Sequence, residues 1–195
     1  MTPDRPYHHG NLRQAVLEQA TPVVRDRGAS ELSLRELAAA VGVSHAAVRR
    51  HFPDRRQLHD ALAVEGFALL GTRLRDAVEA APGYRAQIRS LARAYLDFVT
   101  SEANLAELMF AHEHGEGGEA VSTAAEAAFA PMLLVFERGL ADESPDTSPQ
   151  RTALIFLATL QGLAGLVNCG MITADQLGGL IDEAVAQFPQ GRDQR

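Results

Sequence analysis

Leu34-Arg35-Glu36-Leu37-Ala38-Ala39-Ala40-Val41-Gly42-Val43-Ser44-His45-Ala46-Ala47-Val48-Arg49-Arg50-His51-Phe52 is the stretch whose reading decides the fold. Ser33 stands just before it and Glu36 three residues later, the spacing of a capping box in which the serine caps a helix start and the glutamate reaches back. The helix so opened runs to about Ala40 and stops at Val41-Gly42. Ser44 is a second N-cap residue, and a second short helix runs from it through Phe52. Leu34, Leu37, Ala38, Val41, Val43 and Val48 fall where the two helices would face each other. Two short helices joined by a tight glycine turn are the layout of a helix-turn-helix, whose second helix enters the DNA major groove. Its outward residues would be Ser44, His45, Ala47, Arg49 and Arg50. Arginine can fork onto guanine or clamp a phosphate, and alanine can touch a thymine methyl. Any helical hairpin with a glycine turn shares this layout, with its arginines on a solvated face. The pattern alone leaves both readings open.

Working outward, the rest of the chain also reads as helix. No stretch alternates with period two over β-branched residues, and Ala and Leu dominate throughout. Asn11 to Arg27 places Leu12, Ala15, Val16, Ala20, Val23 and Val24 on one face and ends at Gly28. Pro22 lies inside that pattern and removes a backbone donor, so a kink or loosening is expected there. Asp54 caps a long helix to about Ala80, with Leu58, Leu62, Leu69, Leu70, Leu74 and Val78 as its apolar side. Pro82-Gly83 is the clearest break. Further helices are predicted near Tyr84–Ser101, Asn104–His112 and Glu119–Leu140. An acidic loop at 142–148 precedes a helix capped by Ser148, with Pro149 in its first turn, running to about Cys169. Thr173-Ala174-Asp175-Gln176 is another capping box, opening a last helix to Phe188. The expected class is all-α, with a helix-turn-helix domain over residues 1–60 joined by the long helix to a helical domain over 61–195.

Charge separates the same two parts. Residues 1–60 hold nine Arg against seven acids, whereas 61–195 hold nine Arg against eighteen, within an overall charge of −7. A polyanion would therefore meet the N-terminal end, and the acidic remainder stays solvated. The single Cys169 excludes a disulfide within the chain and suits a reducing compartment. No apolar stretch follows a basic cluster at the N-terminus, and the apolar run Leu154–Ile172 is interrupted by Gln161 and Asn168. A buried or dimer-forming helix and a cytoplasmic protein are expected, without a membrane span.

The stretch Leu34-Arg35-Glu36-Leu37-Ala38, then Gly42-Val43-Ser44, then His51-Phe52-Pro53-Asp54-Arg55 and Leu58 resembles the DNA-binding domain of TetR-family repressors over roughly residues 10–60. Tyr7-His8-His9-Gly10-Asn11-Leu12 is similar to the leading segment of one subgroup. The resemblance implies a recognition helix at His45–His51 and a phosphate-gripping helix start at Arg55, where the family usually has lysine. Asp54 would cap that start, and the helix N-terminus itself favours a phosphate. Arg49 stands where the family commonly has a tyrosine, so an operator sequence does not carry over. The implied DNA contacts are Arg35, Ser44, His45, Ala47, Arg49, Arg50, His51 and Arg55. The implied partners are a palindromic operator, a small-molecule effector and a second copy of the chain, with no cofactor.

For the C-terminal part the family pattern implies an effector pocket and a dimer interface. Phe98, Met109, Phe110, Phe129, Met132, Leu133 and Phe136 are bulky apolar candidates for the lining, and at helical spacing they also suit plain core. Gln161 and Asn168, seven residues apart, share one face of the penultimate helix and would orient a ligand or pair across a dimer axis. Where the subgroup has a tryptophan and a His-Gly pair, this chain has no tryptophan and reads Gln161-Gly162. Gly162, Ala164 and Gly165 permit close backbone approach, which makes the last two helices the dimerisation candidates. His112-Glu113-His114 before a glycine-rich run reads as a polar loop more readily than as a metal site. Cys169 reads as a small hydrophobe rather than a reactive thiol. No phosphate loop or nucleophile elbow appears, and no enzyme is expected.

Overall fold

The computed structural model describes residues 12–111, 118–141 and 148–189. Helix α1, Leu12–Arg27, continues unbroken through Pro22, and the Thr21 hydroxyl donates to the Leu17 carbonyl at 2.9 Å. Gly28 ends it with φ 85°, and a 3-10 turn not foreseen from the sequence follows at Ala29–Glu31. Helix α2, Leu34–Val41, starts where the Ser33 hydroxyl accepts the Glu36 N–H. It ends at Gly42, whose φ of 77° is left-handed and suits glycine. There the Val43 N–H turns back to the Ala38 carbonyl at 2.9 Å, closing the turn tightly.

Helix α3, His45–His51, is capped by Ser44, which accepts the Ala47 N–H at 3.2 Å. Asp54 caps α4, Arg55–Glu79, accepting the Gln57 N–H at 2.9 Å. The remaining helices are α5 (Gly83–Ser101), α6 (Ala103–Phe110), α7 (Glu119–Gly139), α8 (Pro149–Asn168) and α9 (Ala174–Ala186). Both halves of the expected capping box form at Thr173 and Gln176. The all-helical class and the order of helices agree with the sequence reading. The leading segment before Leu12, the His112-Glu113-His114 triplet and most of the acidic loop lie outside the described residues.

One continuous core runs through the molecule, and α4 is its spine. Near its start, Leu58, Ala61 and Leu62 are buried in the same core as Val16, Leu37, Val48 and Phe52 of α1–α3 and the turn after them. Further along, Phe67, Leu70 and Leu74 are buried among α5, α6 and α7. Helix α7 lies along α4 so closely that a Cβ on Gly71 would stand 3.0 Å from the Ala128 Cα. Two T-shaped aromatic groups fill the C-terminal half: Phe67 with Phe110 and Phe129, and Phe136 with Tyr84 and Phe156. Such pairs add directionality to apolar burial.

Helix α8 buries Phe156, Leu160 and Ala164 but leaves Leu154 66% and Ile155 58% exposed on its other side. By length and composition, α7 and α8 would each suffice to cross a bilayer. Cys169, whose reading as a small hydrophobe implies burial, is exposed at the end of α8, because the helix terminates there and the chain turns at Gly170. Gly71→Ala is expected to lose about 1–3 kcal/mol of stability, since the new methyl meets backbone that cannot rotate away. Denaturant unfolding checks this; an unchanged midpoint would mean that α4 and α7 are free to separate.

Candidate DNA-binding and effector sites

Helix α3 stands on α2 through Val48, which is wholly buried, and through Leu37 and Ala38 beneath it. With the 3.6-residue period, burying Val48 turns Arg50 to the opposite side, and His45, Arg49 and Arg50 are all exposed. Ser44, Arg35 and His51 are exposed as well. Ala47 is half-buried and packs against the core, while Ala46 beside it is the exposed alanine. The sequence pattern could not separate these two, because one residue's rotation about the helix moves a small side chain between the faces.

Two of the arginines assigned to DNA hold the protein together in this structure. Arg49 donates from Nε and Nη2 to the Pro53 carbonyl at 3.2 and 3.1 Å, bracing the turn between α3 and α4. Arg55 donates from Nη2 to the carbonyls of Ala29, at 2.7 Å, and Ser30, at 2.5 Å. It thereby ties the start of α4 to the 3-10 turn. Charged donors on carbonyls make strong bonds that fix a side chain's direction.

The second site is an open cleft of about 480 Å³ between α5, α6 and α8. It is lined by Tyr95 and Val99 of α5, Ala103, Asn104, Ala106, Glu107 and Phe110 of α6, and Gln161, Ala164, Gly165 and Asn168 of α8. Gln161 and Asn168, whose direction the sequence left open, both line the cleft. Of the other candidates only Phe110 does. Phe98, Met109, Met132 and Phe136 are at most 2% exposed and belong to the core. Phe129 and Leu133 also pack against it rather than line the cleft. The correction has a simple cause: the bulkiest side chains follow the burial face of each helix, and the cleft opens where small residues leave room.

Tyr95 is one of the cleft residues the sequence reading missed, with Val99, Ala103, Asn104, Ala106 and Glu107. Its ring lies 6.2 Å from that of Phe129 and its hydroxyl is hydrogen-bonded to Gln161. Burial pushes that hydroxyl from 10.0 up to about 12, against the opposing effect of Gln161. The signal was a tyrosine on the buried face of an apolar helix, which needs a partner for its hydroxyl.

A wider cavity of about 750 Å³ lies on the other side of α6, against the end of α1 and the start of α4. Asn104 and Glu107 line both spaces. Asn104 donates from Nδ2 to the Arg25 carbonyl at 2.9 Å, and Arg25 pairs with Glu102 at 2.8 Å. Helix α6 is thus a shared wall, bonded to the last turn of α1.

Residues 16–62 match the family model described as bacterial regulatory proteins, tetR family. Residues 88–188, more than half of the chain, match the tetracyclin repressor-like C-terminal domain. The chain belongs to the TetR family. Its fold is also that of a protein of unknown function from Rhodococcus sp. RHA1, at 36% identity and a TM-score of 0.83, covering 96% of this chain and all of that one. Nucleoid occlusion factor SlmA from Pasteurella multocida is 30% identical over 101 residues. That match spans 51% of each chain, so the present chain covers about half the length of this curated relative. AibR, solved with isovaleryl coenzyme A and operator DNA, shares the fold at 21% identity and a TM-score of 0.61, over 93% of this chain and all of that one. As a TetR-family regulator the chain is a DNA-binding transcription factor of helix-turn-helix type.

Tyr95 supplies a spectroscopic check on the cleft. The unfolded phenol ionises near 10 and the folded one near 12, so the folded state holds the neutral form more firmly. That contribution is complete below the unfolded value and is lost as pH rises towards the folded one. The phenolate absorbance that Tyr95→Phe removes is expected to titrate near 12, and a component near 10 would show the hydroxyl to be solvated.

Proposed function

We propose that the chain is a cytoplasmic, non-enzymatic repressor that binds a two-fold-symmetric operator as a homodimer and is released by a small molecule held in the α5–α6–α8 cleft. The observation that carries this reading is the bond from α6 to α1. One short helix forms a wall of the cleft and holds the C-terminal turn of the first DNA-binding helix through Asn104 and Arg25. A ligand that moves α6 necessarily acts on that attachment. It shifts the equilibrium between DNA-competent and released forms only by its preference for one of them.

On this reading residues 1–60 form the DNA-binding domain and 61–195 the effector and dimerisation domain, with α4 shared between them. The base-reading residues are His45 and Arg50, with Ser44 and His51 flanking them and Arg35 on the backbone. Ala47 contributes at most the edge of its methyl. Arg49 and Arg55 reach phosphates only by giving up their present carbonyl partners, so they act first as braces. The positive helix N-terminus of α4 remains available to a phosphate.

Dimerisation falls to α8 and α9. Leu154, Ile155, Ala158, Gly162 and Gly165 form an exposed strip along α8, and Gly178 and Gly179 are exposed on α9. A Cβ added at any of these four glycines meets nothing within 4 Å inside the protomer. Exposed apolar residues bordered by glycines suit close packing against a second copy. The same strip accounts for the apolar exposure of α8 without a bilayer.

The reading is tested by equilibrium binding to duplex fragments selected from a genomic pool, measured over a salt series. The wild-type protein is expected to lose affinity steeply as salt rises, because phosphate contacts release counterions. Arg50→Ala is expected to relax preference at one base position by about 1–3 kcal/mol. A Leu154→Glu/Ile155→Glu double variant, altering side chains that bury little in the protomer, is expected to remain helical but become monomeric and lose the operator. A folded dimer that selects no duplex even at low salt would overturn the repressor reading.

A further inference from the structure

We infer that the cleft between α5, α6 and α8 is built for a compact organic cation, an ammonium on an apolar body, rather than for a carboxylate or an acyl thioester of coenzyme A. The inference rests on the effector role proposed for that cleft and goes on to name the ligand's chemistry. Among the described residues the walls carry one formal charge, the Glu107 carboxylate, and no arginine or histidine lines the space.

Hydrogen-bonding capacity points the same way. Asn104 gives one of its two amide N–H groups to the Arg25 carbonyl and keeps its oxygen as an acceptor. Glu107 accepts only, so the α6 wall offers a charged acceptor to a ligand that donates. Tyr95 is a neutral phenol in the physiological range, engaged with Gln161, and so supplies no countercharge to an anion. The half-buried Phe110 ring lines the space and supplies an aromatic surface, to which a cation is attracted. Val99, Ala106, Ala164 and Gly165 give the apolar, small-residue surface on which a carbon skeleton packs. The volume of about 480 Å³ lies within the range of small-molecule sites, roughly 300–1,000 Å³.

An anion entering here would lose hydration, find no cation among the described lining residues and stand near Glu107. Discrimination of this kind works as much by excluding the wrong charge as by binding the right one. Arg27, Arg55 and Arg56 line the cavity on the other side of α6, and Arg25 and Arg73 are paired with Glu102.

The test uses the full-length protein and four probes: 4-phenylbutylamine, 4-phenylbutanol, 4-phenylbutanoate and isovaleryl coenzyme A. Calorimetry at neutral pH is expected to rank the amine first, about threefold to tenfold tighter than the alcohol, with the carboxylate weakest of the matched three. Glu107→Gln is expected to bring amine and alcohol within about twofold of each other, the mark of a charge contact rather than of apolar fit. Binding of the carboxylate or the thioester at least as tight as the amine would overturn the cation assignment and leave the effector cleft standing. An amine preference that survives Glu107→Gln would also overturn it. If none of the four binds up to millimolar concentration, the cleft reading itself fails, and this inference with it.

Discussion

The burial of α4 in two places at once is the constraint on which the rest of the structure depends. Its first turns close the helix-turn-helix core through Leu58 and Leu62, and its later turns close the C-terminal core through Phe67, Leu70 and Leu74. A single 25-residue helix thus carries both. Neither core can shift along α4 without opening apolar surface, at about 25 cal/mol for each Å² exposed. Motions that keep both cores closed are rotations of α4 together with its neighbours. Helix α6, which lines the cleft and bonds to α1, lies where such a rotation would be felt. Regulation by a small molecule then needs no long chain of contacts, only one helix packed against both halves.

The arginine economy of the N-terminal domain follows from the same packing. The turn between α3 and α4 and the 3-10 turn after α1 both expose carbonyls close to the start of α4. Arg49 and Arg55 satisfy them, which sets the angle of the recognition helix relative to the spine. A residue that holds a recognition helix in place affects DNA binding whether or not it touches a phosphate. Loss of either arginine is therefore a loss of orientation first.

Much of this was legible in the sequence because helix ends are written in local chemistry. Ser33, Ser44, Asp54, Ser148 and Thr173 each cap the helix expected of them. Gly28 and Gly42 stop theirs with positive φ. The exposure of His45, Arg49 and Arg50 on α3 agrees with the sequence reading, whereas Ala47 turns partly inward and Ala46 outward. Of the cleft lining the sequence marks only Phe110, Gln161 and Asn168 as polar or ligand-facing candidates, because a cavity is where side chains are absent. Periodicity marks Phe98, Met132 and Phe136 as large and inward, and inward here means core. Tyr95 falls on the buried period of α5, but neither its partner Gln161 nor the role of Asn104 is written in that period; both arise from α5, α6, α8 and α1 meeting in space. The side-chain bonds of Arg49 and Arg55 were equally out of reach, since both end on carbonyls that the turns happen to expose.

Footprinting on an enriched genomic fragment tests the central claim, a symmetric dimer presenting two copies of α3 to one face of the duplex, more directly than any other measurement. The expected result is a two-fold-symmetric protected site with half-site centres one helical turn apart, about 34–36 Å, or a multiple of it. A single unsymmetric protected patch, or no protection by a folded dimer at low salt, would contradict the account.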